Sequence, residues 1–170
     1  VSQITKPKTF NSNAFPIYVR DHIDEYSLSS LTYSFEILKR DITIIFFIDD
    51  AKIESLLDKY NNYVDNMLPW LYIVNEYTSR VFYDKLTIYI YHTSLTKNLP
   101  KSSIEILDEN NVNTAFTRTG STNSEIVVYR KEEWFKVFMH ETFHNFALDF
   151  SDMNNDECRS KILSIFPVDS

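Results

Sequence analysis

Trp134-Phe135-Lys136-Val137-Phe138-Met139-His140-Glu141-Thr142-Phe143-His144-Asn145-Phe146-Ala147-Leu148 is the run on which the reading of this chain turns. Phe135, Phe138, Met139, Phe143 and Phe146 recur at three- and four-residue spacing, which predicts a helix with one core-facing stripe. At ~100° and ~1.5 Å per residue, His140 and His144 then stand one above the other on a single face. Two imidazoles so placed can share one Zn²⁺ at ~2.0–2.1 Å from each nitrogen. Glu141, next to the first histidine, is positioned to act on water beside the ion rather than on the ion itself. Val137, Ala147 and Leu148 lie alongside and are expected to shelter the pair in part.

The plain alternative is a solvated helix face on which Glu141 is only a good helix former. With 4 His and 11 Glu in 170 residues, an H-E-x-x-H pattern arises by chance in about 0.006 of such chains. The metal reading is therefore preferred.

Composition narrows the rest. A chain of 170 residues has the size of one domain and can bury a real core, and a single domain over residues 1–170 is expected. Hydrophobic content of 44% and aromatic content of 15% fit a folded chain. A net charge of −7 argues against a nucleic-acid partner, because phosphate binding needs clustered Lys and Arg. The longest apolar run, Ile42–Ile48, is too short to cross a bilayer, so no membrane is expected. A single glycine, Gly120, excludes the glycine-rich phosphate loops of kinases, GTPases and dinucleotide-binding folds. The lone Cys158 excludes an internal disulfide, fits a reducing compartment, and reads as a small core residue rather than a nucleophile. The N-terminus lacks a signal-peptide core and an initiating Met and reads as a processed end.

Along the chain, residues 1–26 read as irregular, interrupted by Pro7, Pro16 and Asn11-Ser12-Asn13. Thr32–Leu38 alternates, with Tyr33, Phe35 and Ile37 on one face, and Lys39-Arg40-Asp41 turns it into the buried strand Ile42–Ile48. Asp49-Asp50 is expected to cap a long helix carrying Ile53, Leu56, Leu57, Tyr60, Tyr63, Val64 and Met67. Pro69 either kinks that helix or starts another running to about Val81. Lys85–Tyr91 is a second strong strand, with His92 at its end read as an ordinary surface or core residue. Val112–Arg118 is polar and β-branched and suits a sheet edge; Ser124–Arg130 is the last strand. Lys131-Glu132-Glu133 should open the key helix with acids in its first turn. A polar turn then leads to a short helix over Glu157–Ile165.

The order strand, long helix, strand, edge strand, strand, H-E-x-x-H helix resembles the N-terminal half of zincin metallopeptidases over roughly residues 42–150. The run Arg130–His144 is also similar to uncharacterised zincin-like proteins of large DNA viruses, which would put the chain in host cytoplasm or virion. The resemblance implies an α+β, zincin-like fold, with a mixed sheet of about four to five strands. It implies His140 and His144 as zinc ligands, Glu141 as general base and proton shuttle, and Val112–Arg118 as the strand against which an extended peptide or protein substrate lies.

Two histidines do not complete a catalytic zinc site, which normally has three protein ligands. The metzincin continuation would need Gly at 147 and His or Asp at 150, and this chain has Ala147 and Phe150. On a continuing helix Asp149 would point about 180° from His140. A third ligand is open between Asp149, Asp152, Asp156 and Glu157, and a residue beyond 170. Of the internal acids, Glu157 is taken as the ligand, by the gluzincin-like resemblance. The expected activity is zinc-dependent peptide hydrolysis; the rival is an inactive zincin-like domain that binds an extended peptide.

Overall fold

The computed structural model describes residues 5–13, 15–27, 29–48, 56–78, 85–97, 114–118, 123–149 and 155–165. In chain order they form α1 (Ile17–Tyr26), β1 (Ser29–Ile37), β2 (Arg40–Ile48), α2 (Leu57–Tyr77), β3 (Lys85–Tyr91), β4 (Ala115–Arg118), β5 (Asn123–Val128), α3 (Trp134–Asn145) and α4 (Asp156–Ile165). The fold is α+β, with one mixed five-stranded sheet in the order β1-β2-β3-β5-β4. β2, β3 and β5 run parallel, while β1 and β4 are antiparallel additions at the two edges.

The sheet divides the core by strand alternation, since successive side chains point to opposite faces. Ile42, Ile44, Phe46 and Ile48 of β2, with Leu86, Ile88 and Ile90 of β3, face α2 and α3 and pack on Val64, Met67, Leu71 and Phe138. The intervening residues Ile45, Phe47, Tyr89, Tyr91 and Val127 face the other way. That second face is covered by Phe10, Phe15, and Val19 and Ile23 of α1. α1 therefore corrects the irregular reading of residues 1–26. Pro16, with φ −56°, sits just ahead of its first turn, a position where a missing N–H costs nothing. With only Val19 and Ile23 buried, its apolar pattern is too sparse to read without the aromatic sheet face it covers.

Several boundaries also differ from expectation. The β1–β2 turn is Leu38-Lys39, both at positive φ (49° and 68°), so Arg40 already belongs to β2. A two-residue turn of this hand matches the twist of the strands it joins, even without Gly or Asn. α2 runs unbroken through Pro69 to Tyr77. The expected cap Asp49-Asp50 lies outside the described residues, as do residues 112 and 113 of the expected edge strand. β4 is at the sheet edge, as its polar composition predicts. No described helix is long and apolar enough to cross a membrane.

Candidate metal centre

α3 packs on β4 and β5 and is fixed at both ends. At its start, Thr93 Oγ1 donates to Tyr129 O (2.6 Å) and Lys131 N donates to Thr93 O (3.2 Å), tying the exits of β3 and β5 together. Glu133 then takes a left-handed φ of 53°, so the helix begins at Trp134 and holds no acid in its first turn. That corrects the expected acidic opening at Glu132 and Glu133: the chain turns there before it coils.

The buried face of α3 also differs from the predicted stripe. Phe138, Glu141, Thr142 and Asn145 are buried, whereas Phe143 is 40% exposed. Polar residues can take core positions here because neighbouring elements supply partners. Trp70 Nε1 of α2 donates to Thr142 Oγ1 (2.8 Å), and Thr142 Oγ1 donates to Met139 O (2.6 Å). The edge of Trp70 meets the exposed Phe143 ring at 5.6 Å between centroids.

At the far end, Ala147 N donates to His144 O (3.2 Å) and Leu148 N to Phe143 O (2.8 Å), with Ala147 at φ 48°. These are the two bonds and the left-handed residue of a Schellman stop. Position 147 thus adopts the conformation glycine favours, although it holds alanine. Thr78 Oγ1 donates to Phe146 O (2.9 Å), and the Arg40 guanidinium lies 4.8 Å over the Phe146 ring.

His140 and His144 are both exposed, so the pair is less sheltered than the sequence suggested. Their Nε2 atoms converge to 3.1 Å, with the rings nearly perpendicular at 84°. Two nitrogens bound tetrahedrally to one zinc at ~2.0–2.1 Å would stand about 3.3 Å apart, so the pair fits a shared ion. His144 Nδ1 is engaged by Asp149 Oδ2. This leaves Nε2 of His144 as the nitrogen turned towards His140, an arrangement also found where a carboxylate holds a ligand imidazole. Asp149 does not point away, because the helix stops at Asn145 and the turn at Ala147 brings the chain back to His144.

Glu141 is 8% exposed, and burial pushes its carboxyl up to about 7, opposed by a smaller lowering from His144. Such a group can accept and release a proton near neutral pH.

Glu157, expected as third ligand, lies exposed on α4 and pairs with Lys161 at 2.9 Å. Among the described residues no three His, Cys, Asp or Glu form a group that could hold a metal, so the structure does not bring Glu157 to the histidines. α4 buries none of its residues, which also leaves Cys158 exposed rather than in the core. Of the other acids considered, Asp156 starts α4 and Asp152 lies outside the described residues. No protein-family model, curated protein or solved structure matches this chain.

Proposed function

We propose that this chain is a zinc-dependent peptidase with a zincin-like domain, in which His140 and His144 hold the metal through Nε2. The observation that carries the reading is the 3.1 Å convergence of those two nitrogens, with Asp149 on the far nitrogen of His144. Bound zinc supplies a Lewis acid that polarises a carbonyl and acidifies water. Glu141, one residue from His140, acts as general base and returns its proton to the leaving amine. Burial raises its carboxyl above the ordinary value, which makes it a stronger base than an exposed glutamate. Among the described residues β4 pairs with β5 alone, which leaves its other edge for an extended peptide. Among the described residues no third ligand stands with the two histidines.

The test is metal content and peptide cleavage on protein purified without added zinc. One zinc per chain is expected, with Glu141→Gln keeping the metal and losing cleavage by about 10²–10⁴-fold. His144→Ala should lose the metal itself. A metal-free wild-type protein that also takes up no zinc would overturn the reading. A second reading, a domain that holds a peptide without cutting it, rests on the same open edge of β4. It predicts equal peptide binding by wild type and Glu141→Gln, with neither cleaving.

A further inference from the structure

Asn145 directly follows His144, ends α3 and is 3% exposed, yet its side chain bonds to the sheet rather than to its own helix. Ser124 Oγ of β5 donates to Asn145 Oδ1 at 3.3 Å. Asn145 Nδ2 donates to Thr117 Oγ1 of β4 at 2.9 Å. Thr117 Oγ1 in turn donates to Glu125 O at 3.0 Å. A hydroxyl has one proton, and that of Thr117 goes to Glu125 O, so Thr117 must accept from Asn145. Only a carboxamide serves both neighbours, with its NH₂ towards β4 and its oxygen towards β5.

β4 is four residues long and, among the described residues, ladders to β5 alone. A short strand held on one side opens easily unless something else restrains it. We infer that Asn145 is a positioning residue that ties the edge strand β4 to the helix carrying His140 and His144. It thereby fixes the height at which a peptide laid along β4 meets the histidines. The link to a peptide rests on the peptidase reading; the tie between α3 and β4 rests on the hydrogen bonds alone.

The test uses Thr117→Val, which removes the hydroxyl at nearly constant volume, with Thr117→Ser as the restoring variant. The readouts are KM and kcat on a fluorogenic peptide selected from a mixed library by wild-type cleavage, zinc content, and amide exchange along β4. Thr117→Val removes both the bond from Asn145 and the bond to Glu125 O, and should raise KM about tenfold or more, with kcat and zinc content retained. Its β4 amides should exchange about tenfold faster, and Thr117→Ser should match wild type on every readout. Unchanged KM and unchanged exchange in Thr117→Val would overturn the inference. So would loss of zinc from that variant, because the tie would then serve the histidines and not the strand. If wild type neither binds zinc nor cleaves, the peptidase reading fails by itself, and amide exchange along β4 in Asn145→Ala, which keeps the Thr117–Glu125 bond, decides whether Asn145 holds β4: faster exchange supports the tie and unchanged exchange overturns it.

Discussion

The two ends of α3 hold imidazoles in opposite circumstances. At the start, His92 packs against Trp134 (5.1 Å between centroids), Phe46 (5.8 Å), Tyr60 (6.1 Å) and Tyr63 (5.7 Å). Its Nε2 is buried with no hydrogen-bond partner. Burial, with Lys59 and Lys131 acting the same way, pushes its pKa down to about 4. Towards the other end, His140 and His144 are exposed, turn Nε2 towards each other, and one is held by a carboxylate. An imidazole becomes a ligand when its lone pair faces a shared open point and its other nitrogen is anchored. Packed among aromatic rings with its Nε2 covered, it is a neutral, half-buried packing group.

The largest expected effect comes from the aromatic end. His92 has an ordinary value of 6.5 and a folded value of about 4. Below pH 6.5 the unfolded chain therefore takes up a proton that the folded one refuses. The stability that depends on a neutral His92 is complete above pH 6.5 and drains as pH falls towards 4. At 1.36 kcal/mol per pKa unit, about 2–3 kcal/mol should be gone by pH 4.5. Other carboxylates and histidines titrate in the same window, so the informative quantity is the difference between wild type and His92→Phe in denaturant unfolding. The variant should flatten that part of the pH profile. Equal acid losses in both proteins would mean that the aromatic surroundings do not hold His92 neutral.

The exposed end gives a smaller number. Asp149→Asn keeps the shape of the group on His144 Nδ1 but removes its charge. Zinc affinity should fall 10–100-fold, the usual cost of losing a partner behind a ligand imidazole. Competition with a chromogenic chelator would read it directly. Unchanged affinity would mean that His144 is oriented by its own helix and that the carboxylate is incidental, removing half of the contrast with His92.

How much of this was legible depended on where the controlling contacts lie. β2 and β3 could be read because their alternation and β-branched residues are local signals, and β3 has the bounds the sequence predicts. The edge position of β4 was legible from its polar residues. α1 was not, since its two buried residues acquire meaning only against Phe10, Phe15 and the tyrosines of the sheet. The buried face of α3 was misjudged for a similar reason. Thr142 and Asn145 look like surface residues until Trp70, Ser124 and Thr117 arrive from elements distant in sequence. The histidine spacing needed only helix geometry, whereas the partner of His144 needed the helix to stop, and nothing marks Ala147 as a stop.

That stop yields the most local prediction, and its glycine variant the smallest effect. Ala147 holds φ 48°, in the left-handed region where a Cβ crowds the following carbonyl at a cost of roughly 1–2 kcal/mol. Glycine would remove the clash but add backbone freedom to the unfolded chain, returning about 0.5–1 kcal/mol of that gain. Ala147→Gly should therefore stabilise the fold by about 0.5 kcal/mol in denaturant unfolding, with zinc affinity unchanged because the turn is kept. Ala147→Pro separates the turn from the residue: its ring fixes φ near −65°, so the chain could not return Asp149 to His144. Zinc affinity should then fall at least as far as in Asp149→Asn. If the proline variant binds zinc as wild type does, the left-handed turn is only the end of a helix. If it behaves as Asp149→Asn or worse, a single backbone angle separates the exposed, anchored imidazole from one that merely lines a surface.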